Sequence, residues 1–234
     1  MTAYNADLQE LRRFRTPIVY DAIERFGVRS KTDGYTDSTI KSMLPEQGIF
    51  VGHAVTAKIV GEFPAAPEED HLGFKDVWEH FAAKPHGSIA VVQDMDSPAG
   101  RASAWGDVSV AIFKRLGCVA LLTNGSVRDI PDIAPMGFGL FAGSASVGHG
   151  NVRYVAVGTP VRIGGLVIAP GDLLHMDEHG AMLVPSELNL KDVARLAAEI
   201  LAEEERVKRY CLSPDFDLAV LDEMHSASMG DEVE

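Results

Sequence analysis

Basic side chains and cysteines are scarce in this sequence. Its 234 residues include 21 Lys and Arg against 34 Asp and Glu, which gives a net charge of −13. Direct binding to nucleic acid or to an anionic membrane needs a basic surface, so we expect no nucleic-acid partner and no membrane partner. The two cysteines, Cys118 and Cys211, are too few for a disulfide framework or a four-thiolate zinc site.

Long apolar runs and nucleotide-binding motifs are also missing. No stretch of about 18 consecutive apolar residues occurs, which excludes a membrane-spanning helix. The N-terminal segment mixes acidic and basic residues and contains no apolar run of signal-peptide length, which favours a cytoplasmic protein. No glycine-rich phosphate-binding loop precedes a helix, so a nucleotide cofactor is not indicated.

The hydrophobic pattern predicts a mixed α/β protein. Hydrophobic residues make up 46% and charged residues 24% of the chain, as in ordinary globular proteins. The spacing of apolar residues predicts helices at 6–14, 16–26, 74–83, 108–116 and 190–210, and strands at 50–60, 88–92 and 119–123. From 138 to 185 short strands alternate with turns, which is typical of hairpins. We expect one α/β domain over residues 1–234, ending in the last helix and a frayed acidic tail.

The stretch from 94 to 130 carries the strongest functional pattern. A loop over 94–105, rich in Asp, Gly, Ser and Ala, is unusually long for a compact domain, and such loops are often functional. Gly106 and Asp107 then open a helix, and Asn124 follows the next strand. Loops at strand ends in an α/β sheet form the crevice in which ligands commonly bind.

The groups around this crevice suit an anionic substrate and a metal ion. Backbone N–H groups at Val108 and Ser109, at the start of the helix, suit a carboxylate or a phosphate. Arg128 can hold the same anion with a two-pronged hydrogen bond. The carboxylates of Asp107 and Asp129 are oxygen ligands of the kind that Mg²⁺ or Mn²⁺ prefers. Together these groups predict a site for a 2-oxo acid beside a divalent cation.

A purely structural interpretation of the same residues is also available. Asp at the start of a helical run is frequently only an N-cap, which would account for Asp107. Arg128 and Asp129 would then form a surface ion pair or begin another short helix. The residues alone leave both interpretations open.

The spacing of three charged residues resembles that of a known enzyme family. Twenty residues separate Asp107 from Arg128, and Asp129 follows directly. This pattern resembles the RraA-like family, which contains the class II pyruvate aldolases that cleave 4-hydroxy-4-methyl-2-oxoglutarate and 4-carboxy-4-hydroxy-2-oxoadipate, and the regulator of ribonuclease activity A. The resemblance covers about residues 8–205, through the segments TPIVYDAIERFG (16–27), VGHAVTAKIV (51–60), ASAWGDVSVAIFKRLG (102–117), TNGSVRDI (123–130) and VRIGGLVIAPGDLLHMDEHGAMLVP (161–185).

The resemblance implies a fold, a reaction and an assembly. The fold is a layered α/β sandwich of the RraA-like, swivelling-domain-like type. The segment Gly106–Ser109 would face the substrate carboxylate with its N–H groups, Arg128 would bind the substrate, Asp129 would ligate Mg²⁺ or Mn²⁺, and Asp107 would hold a metal-bound water. The implied enzyme is a metal-dependent carbon–carbon lyase, a homotrimer or homohexamer, with Asp107 and Arg128 as its catalytic residues. It releases pyruvate from a 4-hydroxy-2-oxo acid and decarboxylates oxaloacetate as a side activity.

Two departures from the family pattern leave the substrate open. Asn124 stands where the aldolases usually have Asp before glycine, which preserves the turn and removes a charge beside the site. The region 62–87 is also longer. The general base and the physiological metal are not identified either. Two other functions remain: dehydration or decarboxylation of a sugar-derived acid, and non-catalytic regulation of a ribonuclease or helicase.

Other polar and aromatic groups have simpler interpretations. His149, between two glycines, is expected to be a polar loop residue. The run from His175 through Asp177 and Glu178 to His179 resembles a metal cluster, but a hairpin turn accounts for it. The helical set Val77, Trp78 and Phe81 is expected to lie in the core. Two further expectations concern single residues, a capping role for Thr16 and burial of Cys118.

Overall fold

The computed structural model describes residues 3–66 and 68–229 as a mixed α/β fold. Two short 3-10 turns accompany the helices, at Pro45–Gln47 and Ala134–Met136. In this part of the chain no helix has both the length and the apolarity needed to cross a membrane. The helices are α1 (Ala3–Leu11), α2 (Thr16–Glu24), α3 (Phe74–Ala82), α4 (Asp107–Arg115), α5 (Ile130–Ile133), α6 (Leu190–Cys211) and α7 (Leu218–Met229).

The strands form one large sheet and two small ribbons. The strands are β1 (Lys41–Ser42), β2 (Phe50–Val60), β3 (Ser88–Asp94), β4 (Cys118–Thr123), β5 (Ser126–Val127), β6 (Gly139–Ala142), β7 (Ser144–Ala145), β8 (Arg153–Val157), β9 (Val161–Ile163), β10 (Leu166–Ile168), β11 (Leu173–Asp177) and β12 (Gly180–Val184). The large sheet has the order β1-β6-β4-β3-β2-β11-β12, with β8 paired to the end of β2. The ribbons are β9–β10 and β5–β7.

The centre of the large sheet is parallel and covered on both faces. Strands β2, β3, β4 and β6 run parallel to one another. Parallel strands buried on both faces need nearly continuous apolar sequence, which the runs 89–92 and 120–122 supply. Gly52 lies within β2 because a Cβ at this position would overlap the carbonyl oxygen of Gly87.

Three apolar clusters lie around this sheet. The first packs α3, α4 and α5 on one face of the parallel strands and includes Trp105 and Phe113. The second fills the inside of the curled sheet, which the β9–β10 ribbon helps to close into a nearly complete barrel. The third packs α1, α2 and α6 against β11 and β12. The first cluster lies directly beneath the loops that carry the predicted site.

The helices and strands lie close to their predicted positions, and Cys118 is buried as expected. Burial raises the pKa of its thiol to about 12. The hairpins β9–β10 and β11–β12 are confirmed, as is the helix at 190–210. Three details of the sequence prediction are wrong.

The first correction concerns Thr16. Arg15 occupies the N-cap of α2, and Thr16 is the first helical residue. The side chain of Thr16 turns towards β11 and not to its own helix. Helical periodicity alone could not separate these two neighbouring positions, because helix boundaries shift easily by one residue.

The second and third corrections concern the region after 138. The predicted hairpin region opens with β6, which pairs parallel with β4 because α5 and the following 3-10 turn provide a crossover connection. The tail expected to be frayed contains α7 instead. The last residues of that tail, 230–234, lie outside the described part of the chain.

A buried hydrogen-bond network joins the N-terminal helices to β11. The carboxylate of Asp177 accepts hydrogen bonds from the backbone N–H groups of Thr16, at 2.7 Å, and of His179, at 2.9 Å. In the ring of His175, Nε2 lies 3.2 Å from the Leu11 carbonyl oxygen and Nδ1 lies 2.9 Å from the Thr16 hydroxyl. Because a carbonyl oxygen only accepts, Nε2 carries the proton and the hydroxyl donates to Nδ1.

The two buried side chains of this network differ in charge: His175 is neutral and Asp177 is ionised. Desolvation by burial lowers the pKa of His175 to about 4, so the ring is neutral in the folded protein at neutral pH. Burial would raise the pKa of Asp177, but the N–H groups of Thr16 and His179 outweigh it and hold that pKa below its usual value. The network therefore requires a neutral imidazole beside an ionised carboxylate.

We predict that the protein loses stability in mild acid through His175. The ring takes up a proton below pH 6.5 in the unfolded chain, but only near pH 4 in the folded protein. The stabilisation that comes from the neutral ring is therefore fully present above pH 6.5 and is lost as the pH falls from 6.5 to 4. It amounts to about 3 kcal/mol. Urea unfolding of His175→Gln should show a shallower fall of the unfolding free energy in this window. The exposed control His71→Gln should behave like wild type, and equal slopes in all three proteins would contradict the assignment.

Candidate active site

The site lies where neighbouring parallel strands end. Strands β3 and β4 run in the same direction and end at Asp94 and Thr123. The loop 95–106 leaves β3 and the turn at 124–125 leaves β4, so both connections emerge at one edge of the sheet. This is the edge at which the sequence predicts the crevice.

Backbone pairing brings the segment around Arg128 to the start of α4. Val127 forms a parallel bridge with Trp105, and the Arg128 N–H donates to the Trp105 carbonyl oxygen at 2.9 Å. The hydroxyl of Ser103 reinforces this pairing by donating to the Ser126 carbonyl oxygen at 3.0 Å. The strand β5 and the following Arg128 are therefore held beside the loop that precedes α4.

Gly106 makes the closest approach in the site. A Cβ at this position would overlap the carboxylate of Asp129 and lie 3.2 Å from Nε of Arg128. The backbone of Gly106 is in an ordinary extended conformation, with φ −125°, which any residue can adopt. Glycine is needed here because there is no room for a side chain. The structure thus brings together Gly106, Arg128 and Asp129, as the sequence predicts.

Asp129 has an unusual backbone conformation. Its φ of 55° is the only positive value at a non-glycine residue in the described part of the chain. It occupies the N-cap of α5, yet its side chain accepts no hydrogen bond from that helix. Its Oδ2 lies 3.1 Å from Nε of Arg128, and both side chains are about one third exposed. Left-handed residues of this kind concentrate at functional sites.

The start of α4 differs from the prediction in one respect. Gly106 is the N-cap and Asp107 is the first helical residue, so the alternative in which Asp107 is the N-cap is wrong. The N–H of Val108, expected to be free for a ligand, donates to Oδ1 of Asp107 at 2.8 Å. Val108 itself is 67% exposed, and Ser109 is half-buried one position further along.

The donor set at this position fits a hard divalent cation. Asp129 is half-buried beside Gly106, and Asp107 follows Gly106 directly on α4. The Asp129 carboxylate performs no capping role, so its oxygens are available for a ligand other than Arg128. Oxygen donors of this type are those that Mg²⁺ and Mn²⁺ prefer.

A second group of possible metal ligands lies elsewhere, at the β11–β12 turn. Asp177, Glu178 and His179 offer ligand atoms within 4.8 Å of one another. The Asp177 oxygens already accept the bonds described above, His179 Nδ1 lies 3.0 Å from Asp177, and Glu178 forms an ion pair with Arg15. The hairpin interpretation of these residues is thus supported by the contacts they make.

Asn124 and Asp94 anchor the loop that leads to Gly106. The Asn124 side chain accepts from the Asp94 N–H at 2.8 Å and donates to the Asp94 carbonyl oxygen at 2.9 Å. Burial raises the pKa of the Asp94 carboxyl group, whose oxygens accept from the N–H groups of Gly100, at 2.7 Å, and Asp96, at 3.0 Å. An aspartate in place of Asn124 would lack the N–H donor in its ionised form.

A cleft of about 230 Å³, which the sequence did not predict, lies beside α4. His149, expected to be only a loop residue, lines this cleft together with Ser109. Trp78, expected in the core, also lines it and is 38% exposed, whereas Val77 and Phe81 are buried as predicted. The one feature of the sequence that could have indicated this cleft is the greater length of the 62–87 region, which contains α3.

We predict that Asn124→Asp destabilises the protein. The substitution removes the donor to the Asp94 carbonyl oxygen and adds a negative charge near the buried Asp94 carboxyl group, at a cost of about 1–3 kcal/mol. Thermal unfolding should therefore show a lower Tm at pH 7, and the loss should shrink in acid, where a protonated carboxyl group can donate again. Asn151→Asp, at an exposed position, is the matched control. A Tm equal to that of wild type would contradict the anchoring role.

Comparison with proteins of known sequence gives two informative relatives. A Halalkalibacterium halodurans protein named "Putative 4-hydroxy-4-methyl-2-oxoglutarate aldolase" is 29% identical over 212 residues, which cover 87% of this chain and 89% of that protein. Protein DlpA of Legionella pneumophila is 23% identical over 205 residues, which cover 86% of this chain and 31% of DlpA. The chain therefore spans under a third of DlpA.

Solved structures share the fold at lower identity. An uncharacterised Pseudomonas syringae protein superposes with a TM-score of 0.70 and 24% identity, covering 94% of this chain and 97% of that one. Streptomyces coelicolor RraAS2, described as an unusual member of the RNase ES inhibitor RraA protein family, gives 0.64 and 20%, covering 89% and 96%. The family model RraA-like (Aldolase/RraA) matches residues 16–183, well over half of the chain. This protein belongs to the RraA-like family.

Proposed function

We propose that the protein is a divalent-metal-dependent lyase that cleaves a 4-hydroxy-2-oxo acid into pyruvate and a second carbonyl compound. The observation that carries the proposal is the contact of Gly106 with Arg128 and Asp129 at the start of α4. It gathers a guanidinium, a carboxylate without a capping role and a helix start in one place. The name of the Halalkalibacterium halodurans relative supports the same reaction class.

Arg128 binds the carboxylate of the substrate in this proposal. Its Nε pairs with Asp129, which orients the guanidinium and leaves its terminal nitrogens for a ligand. A guanidinium fork matches the two oxygens of a carboxylate, and the pairing fixes the plane of the 2-oxo acid. The segment Gly106–Ser109 borders the same carboxylate.

Asp129 would hold the cation directly and Asp107 would hold it through a water molecule, and the cation would supply Lewis-acid stabilisation of negative charge on the 2-oxo oxygen. The reaction itself moves one proton and one electron pair. The C4 hydroxyl gives up its proton, the C3–C4 bond breaks, and the electron pair remains on C3 as the pyruvate enolate, which is then protonated. We assign the handling of the hydroxyl proton to Asp107, the half-buried carboxylate at the first position of α4.

A non-catalytic regulator is the second candidate. Its support is the likeness in fold, at 20% identity, to RraAS2, described as an unusual member of the RNase ES inhibitor RraA protein family. A surface that only binds a protein partner has no use for a left-handed Asp beside an Arg, with its carboxylate free of capping bonds. We therefore favour the enzyme.

We predict that the protein decarboxylates oxaloacetate faster than free Mg²⁺ does and that EDTA stops this reaction. Decarboxylation and retro-aldol cleavage share the pyruvate enolate, so groups that stabilise it accelerate both. Arg128→Lys keeps the charge but loses the fork, and should lower kcat/KM by about tenfold or more. Arg195→Lys, on the exposed face of α6, is the control. Wild-type protein that only matches the background at equal free Mg²⁺, and leaves 4-hydroxy-2-oxo acids uncleaved, would favour the regulator.

We also predict that Asp129→Asn weakens metal binding without unfolding the protein. Asn tolerates the left-handed conformation and has the same shape, so the loss of charge is the main change. Calorimetric titration with Mn²⁺ should give a Kd raised by about tenfold or more. Asp132→Asn, an exposed carboxylate on the same short helix, should bind like wild type. An unchanged Kd in Asp129→Asn would remove this residue from the metal site.

A further inference from the structure

The cleft beside α4 has an aromatic rim and floor. Phe74 and Trp78, on successive turns of α3, stack with ring centroids 6.0 Å apart and an interplanar angle of 27°. They are 58% and 38% exposed and form the rim, whereas Tyr154 and Phe113 are buried. The edge of the Tyr154 ring meets Phe74 at 6.2 Å. The complete lining is Phe74, Trp78, Ser103, Ala104, Ser109, Ile112, Phe113, His149, Gly150, Val152 and Tyr154.

Positive charge is lacking in this lining. No Lys or Arg is among the described residues that line the cleft, and His149 is its one ionisable nitrogen group. Arg153 lies next to Tyr154 in sequence, but its guanidinium is paired with Glu69: Nε donates to Oε1 and Nη2 donates to Oε2, each at 2.8 Å. Burial raises the pKa of Tyr154, so its hydroxyl stays neutral. A carboxylate in the cleft would lose water without gaining a cation, which is costly.

The cleft adjoins the proposed substrate site through Ser109. This residue lies in its wall and also ends the segment Gly106–Ser109, to which we assign the substrate carboxylate. Ser103 and Ala104, which also line the cleft, lead directly into Trp105 and Gly106. We place the carboxylate of the substrate at Arg128 and its far end in the cleft, along α4. An apolar cavity of about 150 Å³ is enough to hold benzene, so a cleft of about 230 Å³ accepts a six-membered ring.

We infer, resting on the proposed function, that this cleft selects a substrate whose C4 carries an uncharged, ring-sized apolar group and not a second carboxylate. The substrate is then of the class R–CH(OH)–CH₂–CO–COO⁻, with R bound between the aromatic side chains. Loss of the hydroxyl proton and cleavage of C3–C4 give the aldehyde R–CHO, and protonation of the remaining enolate gives pyruvate. No oxidant or reductant takes part. Trp78 and Phe74 are the specificity-determining residues.

The test compares kcat/KM for 4-hydroxy-2-oxo-4-phenylbutanoate, 4-hydroxy-4-methyl-2-oxoglutarate and oxaloacetate in the full-length protein with Mg²⁺. Wild type should prefer the phenyl substrate to the dicarboxylate by about tenfold or more. Trp78→Ala should lower the ratio of the phenyl substrate to oxaloacetate by a similar factor, because oxaloacetate has no group for the cleft. Trp78→Phe should recover part of that ratio. Phe63→Ala, an aromatic residue that is 69% exposed outside the cleft, should leave all three values unchanged.

A direct binding measurement complements the kinetics. Calorimetric titration with benzaldehyde should show the same measurable Kd for wild type and for Phe63→Ala. The Kd for Trp78→Ala should be at least several-fold higher. Decarboxylation of oxaloacetate together with a preference for the dicarboxylate, or with an unchanged ratio in Trp78→Ala, would overturn the inference and leave the proposed function standing. If the wild-type protein converts none of the three compounds faster than Mg²⁺ alone does, the proposed function and the inference are both overturned.

Discussion

The close contact between Gly106 and Asp129 is the constraint on which the site depends. It exists because three separate stretches of chain converge: the end of the loop 95–106, the strand β5 and the start of α5. The bridge between Trp105 and Val127 holds two of them together. The buried Asp94 carboxyl group stabilises the loop by accepting a hydrogen bond from the Gly100 N–H. Any side chain at position 106 would displace the Asp129 carboxylate, so the geometry requires glycine there.

The structure uses its aspartates in two different ways. Asp94 and Asp177 are buried, and their oxygens accept hydrogen bonds from backbone N–H groups. Asp107 and Asp129 are half-buried, and Asp129 leaves the helix that it begins uncapped. The first pair holds loops and helices in position, whereas we propose that the second pair holds a cation. The composition of the chain shows only that it is acidic. The two kinds of carboxylate differ in burial and in hydrogen-bond partners, which only the structure shows.

The sequence predicted the core of the fold and the convergence of Gly106, Arg128 and Asp129, because apolar runs mark the parallel strands and strand ends meet at one edge of a sheet. It did not predict the parallel pairing of β6, since a short apolar run does not encode the direction of its neighbour. Nor did it predict the cleft. Helical spacing groups Val77, Trp78 and Phe81 on one face but does not say how much of that face is covered, and His149 reaches the cleft through contacts distant in sequence.

The most direct test of this account is Gly106→Ala, assayed for oxaloacetate decarboxylation, Mn²⁺ affinity and Tm. The backbone at 106 suits alanine, and the atoms that a Cβ meets are the ends of the Asp129 and Arg128 side chains, so the fold should survive with little change in Tm. We expect kcat/KM to fall by about a hundredfold, because a displacement of catalytic groups by about 1 Å costs that much, and the Kd for Mn²⁺ to rise. A variant with wild-type kcat/KM and wild-type Mn²⁺ affinity would contradict the account.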